Sequence, residues 1–245
     1  MVADRTARGM RRYWDERAVE NALWYVDTSV DYHHPSMDQF LATGRKIVDE
    51  AFRDAPVRPD RRQVAVEIGP GVGRLSWAMA EHFERVIGID VSAEMVQRAR
   101  QLVPDRRVTF EVGDGLTLAP MGDESADFVF SFTVLQHIPK VSVIEGYLAE
   151  TARVLRPGGV AALQWNNDPN PFRWKARAIV SEALHRVGAP SRSDNRHAVQ
   201  FYGSRVPTAR ITSALERSGL EVVATKGEGT LFAWVWARKP RSAPR

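Results

Sequence analysis

The chain has 245 residues, 44% hydrophobic and 26% charged, an ordinary globular composition with enough length for a full core. It contains no cysteine, which excludes disulfides, thiolate metal sites and a cysteine nucleophile. The formal net charge of +4 sits in the tail, where Arg238, Lys239, Arg241 and Arg245 account for all of it, so a frayed basic terminus is expected rather than a nucleic-acid footprint.

No stretch reaches the ~20 apolar residues that span a bilayer, and the N-terminus lacks the apolar segment of a secretory signal. Both point to a cytoplasmic protein without a membrane partner. Met10, Tyr13, Trp14, Ala18, Ala22 and Tyr25 recur at three- and four-residue spacing and predict a helix over 6–26. Phe40, Leu41, Ile47, Val48 and Phe52 predict a second over 36–54, after a turn at 32–35. The Pro-rich run 56–60 breaks the pattern. Residues 1–55 are therefore read as a helical cap or lid, and 60–245 as the main domain.

From Val64 the pattern alternates. Strands are predicted at 64–68, 86–90, 108–112 and 127–132, with helices at 72–83, 92–102 (Ser92 as N-cap) and 141–155. Arg156-Pro157-Gly158-Gly159 reads as a helix stop before a strand at 160–165. A polar stretch over 168–206 reads as a lid insertion. A helix at 207–218 and strands at 220–225 and 230–237 follow. Such alternation implies an α/β fold, a doubly wound, mainly parallel sheet with helices on both faces.

Three strand ends carry chemistry. Val64–Ile68 runs into Glu67-Ile68-Gly69-Pro70-Gly71-Val72-Gly73, where alternate glycines let backbone approach a ligand. The third glycine comes one residue early for a dinucleotide fingerprint, which disfavours a nicotinamide-dependent reductase. The next strand ends in Asp90, an acceptor suited to a ribose diol, and the third in Gly113-Asp114-Gly115-Leu116, which in isolation is also a plain turn.

In order and spacing, the runs EIGPGVG, GIDVS, VGDGL, FVFSFTVLQHI and LRPGGVAAL resemble the motifs of class I S-adenosylmethionine (SAM)-dependent methyltransferases, in the broad small-molecule branch. The resemblance covers about 60–165 and the two terminal strands. It implies a seven-stranded sheet with the last strand antiparallel, SAM as cofactor and S-adenosylhomocysteine (SAH) as product. Carried over by position, Glu67, Gly69, Pro70, Gly71 and Gly73 belong to the methionine loop. Asp90 and Val91 take the ribose, and Met95, Gly113, Asp114, Gly115 and Leu116 the adenine. Phe132, Thr133 and Val134 line the methionine side.

Departures from subclass patterns narrow the acceptor. Ser131-Phe132-Thr133-Val134 does not resemble the amino-methylating DNA enzymes, and the chain lacks the Cys of RNA cytosine-5 enzymes and the paired glutamates of arginine methylation. The strand-four acid of the magnesium-dependent catechol type is also missing, so no metal is expected. What remains is transfer to an O or N nucleophile of a small molecule. RNA or protein methylation, or a non-catalytic SAM-binding regulatory module, are the alternatives. His137 is the candidate base. Tyr13, Trp14, His33, His137, Trp165, Asn166 and Tyr202 are the candidate acceptor contacts.

Overall fold

Apolar strand runs buried on both faces form the centre of a seven-stranded sheet in the computed structural model, which describes residues 2–169 and 203–241. The strands are β1 (Val64–Ile68), β2 (Arg85–Asp90), β3 (Val108–Val112), β4 (Ala126–Ser131), β5 (Leu155–Trp165), β6 (Glu221–Lys226) and β7 (Ala233–Arg238), in the order β3-β2-β1-β4-β5-β7-β6. β1 to β5 pair in parallel, and β7 runs antiparallel to both neighbours. The order reverses between β1 and β4, the position where open α/β sheets bind ligands at the strands' C-terminal edge.

The helices are α1 (Val2–Val26), α2 (Met37–Asp54), α3 (Arg74–Met79), α4 (Ala93–Leu102), α5 (Val141–Val154) and α6 (Thr208–Arg217). Ile144 and Leu148 of α5 join Ile211 and Leu215 of α6 on one face of the sheet. Val48, Phe52, Met79 and Val96 from α2, α3 and α4 cover the other. Among the described residues no helix is long and apolar enough to cross a membrane.

Four sequence expectations shift for physical reasons. The first helix breaks at Asn21 (φ −165°, ψ 82°), whose side chain donates to Tyr32 O and accepts from Trp24 N–H, capping the last turn. The third helix is shorter than 72–83 because the backbone turns through left-handed glycines until Gly73 (φ 87°). The run 156–159 does not separate helix from strand. It is a bulge inside β5, with Ala126 opposite Leu155 and Phe128 opposite Val160. The last strand starts at Ala233, since Thr230 to Phe232 lie in the preceding turn. Most of the predicted insertion lies outside the described residues.

The N-terminal helices pack directly on the sheet unit. Asp15 of α1 accepts from the Ser92 hydroxyl and the Glu94 N–H at the start of α4. Arg11 donates to Val91 O and Gly113 O at the ends of β2 and β3. Ala18 and Ala22 of α1, Phe40 of α2, Val72 and Met95 close the seam.

At the opposite end of the sheet, the buried Asp127 carboxylate accepts from Gln63 and Val64 N–H and pairs with Arg156 at 3.0 Å. It fixes the starts of β1, β4 and β5 together. Asp127→Ala strands two N–H groups and a cation, and should cost about 3 kcal/mol. Urea unfolding should show a lower midpoint at unchanged slope. A loss within the ordinary surface range would show that the strand starts hold without it.

Candidate functional site

The C-terminal ends of β1, β2 and β4 open into a cavity of about 840 Å³, within the range that takes a small ligand. Glu67, at the end of β1, is fully buried and accepts a hydrogen bond from the Ser76 hydroxyl of α3. Burial pushes its carboxyl up to about 7, against the pull of Ser76 and Arg74. Asp90, at the end of β2, accepts from Gly71 N–H (3.0 Å) and Ser92 N–H (2.9 Å). Burial is the main force raising it to about 6, and the charge of Asp15 adds to the rise.

The loop between β1 and α3 wraps these acids. Gly71 has φ +55°, and a Cβ there would lie 2.5 Å from a methyl of Val26. A side chain would therefore meet both backbone strain and the end of α1. Arg74, the first residue of α3, is 3% exposed. Its Nη1 donates to Asp27 (2.7 Å) and to the Thr43 hydroxyl (2.9 Å). Burial works against the Asp27 charge, but hydrogen bonds from Thr43 and Ser29 and the Arg74 charge hold it below the usual carboxylate range.

After β4, Thr133 sits at φ +55°, unusual for a β-branched residue. Its N–H donates to Oε1 of Gln164 at 2.7 Å. Gln164, on β5 and fully buried, donates in turn to Leu231 O (2.6 Å) and Gln136 Oε1 (3.1 Å). One amide thus ties the loop after β4 to the turn before β7. His137 closes a short 3-10 turn, Leu135–His137, and its ring meets Trp14 of α1 edge-on at 5.4 Å.

The cavity gathers Glu67, Gly69, Pro70, Gly71, Asp90, Val91, Met95, Phe132, Thr133, Val134, Trp14, His137 and Asn166 of the sequence candidates. Others lie elsewhere. Gly73 is packed against Phe110. Asp114 turns back on its own loop, accepting from Leu116 and Thr117 N–H. That loop, with Gly113 and Gly115, is covered by α1 through Arg11 and Ala7 and does not line the cavity. Leu116 packs on the core. Tyr13 is buried against Trp14 and Arg17. Trp165 is core, with its indole N–H on Val206 O, and His33 is exposed. Tyr202 lies outside the described residues.

Sequence reasoning missed Arg74, Asp27, Thr43, Gln136 and Gln164. Arg74 carried a signal, a cation directly after the third glycine. Asp27 and Gln164 carried none, since their partners are 47 and 31 residues away.

Residues 66–163 match the methyltransferase domain family. A trans-aconitate 2-methyltransferase of Azoarcus sp. is 31% identical over 199 residues, spanning 78% of this chain and 75% of the relative. A 37.1 kDa protein encoded in a Streptomyces fradiae transposon is 42% identical over 163 residues, 64% of this chain and 44% of its own. Among solved structures, the magnesium protoporphyrin IX methyltransferase of Synechocystis PCC 6803, holding SAH, overlays with a TM-score of 0.61 at 19% identity. That match covers 95% of this chain and 98% of the other, and the likeness is one of fold.

The two raised carboxyls give a pH signature. Glu67 keeps its proton in the folded state up to about 7 but releases it in the unfolded state near 4.5. Between these values the folded state binds more protons, so the stability contribution of Glu67 falls as pH rises. Glu67→Gln removes that slope. The difference between wild type and variant in urea midpoint should shift in favour of the variant from pH 4.5 to 7, other groups cancelling. A constant difference across that window would show Glu67 ionised at ordinary pH.

Proposed function

The chain belongs to the class I SAM-dependent methyltransferases, and we propose that it methylates an oxygen or nitrogen of a small molecule bound in this cavity. The observation that carries the reading is the convergence of Glu67, Gly71 and Asp90 with Trp14, Phe132 and His137 around one cavity. The residues present fit the cofactor. Two buried carboxyls raised by desolvation are a favourable setting for a cationic ligand. Each Asp90 oxygen accepts one backbone N–H and keeps lone pairs for a diol. Gly71, at φ +55° and without a Cβ, lets Val26 at the end of α1 close onto the loop beside the cavity.

SAM, when bound, supplies an electrophilic methyl group on a sulfonium. The chain's contribution is alignment and exclusion of water. Met10 and Trp14 of α1 and Phe132 wall the cavity with apolar surface. Gln164 holds Thr133 and Gln136 in one arrangement. His137 reaches the cavity from the same turn and is placed to take a proton from an acceptor that must lose one. The name of the Azoarcus relative, a trans-aconitate methyltransferase, supports a small-molecule acceptor. Adding SAM with labelled methyl to panels of small acids, phenols and amines, and separately to RNA and protein, tests this. Label entering only macromolecules would refute it.

Asp90→Ala should weaken SAH binding about ten- to hundredfold, the scale of hydrogen bonds to a charged acceptor. Calorimetry on the folded variant reads this directly. Unchanged affinity would place the ribose elsewhere, and stabilisation of the wild type by NADH but not SAH would refute the cofactor.

In this reading α1 is a cover over the cofactor, held by Arg11 and Asp15. Arg11→Ala combined with Asp15→Ala should speed SAH release by at least about tenfold, followed by stopped-flow tryptophan fluorescence. An unaltered release rate would make α1 a fixed brace.

A further inference from the structure

The charges that line the cavity are unequally matched. Arg74 is buried and pairs with Asp27. Lys46 of α2 is exposed and has Glu50, also in the lining, one helical turn on. Asp168 has a partner of its own. Arg205 is different. It lines the cavity and is exposed, and it makes no hydrogen bond or ion pair among the described residues.

An exposed arginine is by itself ordinary. What singles out Arg205 is the backbone that carries it, which is pinned on both sides. Gly203 has φ +52°, and a Cβ there would collide with Gln136 O and the His137 backbone. Glycine is therefore required where the segment crosses the turn that carries His137. Val206 is fully buried. Its N–H donates to Asn166 O at 3.0 Å, and its carbonyl accepts from the Trp165 indole and the Asn167 amide, both at 2.9 Å. Arg205 lies between these anchors, and the two residues from Gly203 span at most about 7 Å. Its backbone is held beside the His137 turn while its side chain has nothing to hold. The wall tied to the same turn is apolar. Leu231 and Phe232 line the cavity, and the Gln164 amide that donates to Leu231 O also donates to Gln136. Apolar surface beside a cation strengthens its attraction for a counter-charge.

We propose that the methyl acceptor carries a carboxylate and that Arg205 binds it, fixing the acceptor beside the His137 turn. The planar guanidinium fork matches the two oxygens of a carboxylate. The proposal rests on the methyltransferase reading above and narrows its acceptor from small molecules in general to organic acids. The signs divide within the cavity. The buried acids Glu67 and Asp90 stand at the strand ends, and Arg205 stands on the exposed part of the lining. A neutral or cationic acceptor leaves Arg205 unanswered.

The test uses matched pairs: hydroxybenzoic, aminobenzoic and aliphatic dicarboxylic acids, each beside the corresponding carboxamide. Each is titrated calorimetrically into wild type saturated with SAH, and supplied with methyl-labelled SAM for turnover. At least one acid should bind at least about tenfold more tightly than its amide, and should accept label. With that acid, Arg205→Gln should raise KM at least about tenfold, more than it lowers kcat. Arg205→Lys, which keeps the charge and loses the fork, should fall between. SAH affinity and thermal midpoint should stay at wild-type values in both variants, a pattern that a structural role for Arg205 would not give. Amides binding as well as acids across the panel, no acid binding at all, or an unaltered KM in Arg205→Gln would each overturn the assignment. Label entering only neutral acceptors would overturn it too, while leaving the methyltransferase reading intact. Failure of wild type to bind SAH would overturn that reading, and this proposal with it.

Discussion

Two carboxyl groups buried at the ends of adjacent parallel strands set the terms for everything around them. Glu67 and Asp90 end adjacent strands, offset by two residues along them, because β1 and β2 pair with Glu67 opposite Gly88 and Ile68 opposite Ile89. Neither is solvated, and each is pushed towards its neutral form by burial. A buried charge needs partners. The partners present are the Ser76 hydroxyl, two backbone N–H groups and the field of Arg74. Each comes from the loop or helix that follows a strand, so the acids also organise those loops. A cationic ligand, as the proposed cofactor reading supplies, would complete what these donors leave undone.

The same constraint explains why the N-terminal helices belong to the site. Asp27 lies just beyond α1 and pairs with Arg74, whose charge in turn pulls on Glu67. Asp15 sits at the start of α4 and adds negative charge beside Asp90. Removing α1 therefore strips away more than a cover. It would remove the Asp15 charge that raises Asp90 and would free the end of the segment that holds Asp27 against Arg74. A helix that looks like an appendage in the chain order is electrically part of the strand ends.

How much of this was legible follows from distance along the chain. The strands 64–68 and 108–112 were readable to the residue, because a short apolar run bounded by turn residues is a local pattern. So was Ser92 as the cap of α4. The Gly69–Gly73 loop and Asp90 were also readable, since strand, glycines and acid follow one another. What stayed hidden depends on partners far away. The bulge at 156–159 looks like a helix stop because Pro-Gly-Gly is equally at home in either. Asp114 reads as a ligand acid, and its bonds to Leu116 and Thr117 are local, but α1 lying over that loop is not. Asn21 reads as one more polar helix position until Tyr32 supplies its partner.

The acceptor side is hidden for a related reason, and Thr133 shows it. Its left-handed conformation is disfavoured by its own side chain and nothing in its neighbours announces it. It is held by Gln164, which belongs to another strand and is itself anchored on Leu231 in a third segment. Three stretches of chain must agree before the loop carrying His137 has a defined position. The cofactor end is specified by contiguous residues working on backbone and charge. The proposed acceptor end is held by agreement among loops that have no sequence pattern in common. That difference is why these residues name the methyl donor so much more readily than the molecule that receives the methyl group.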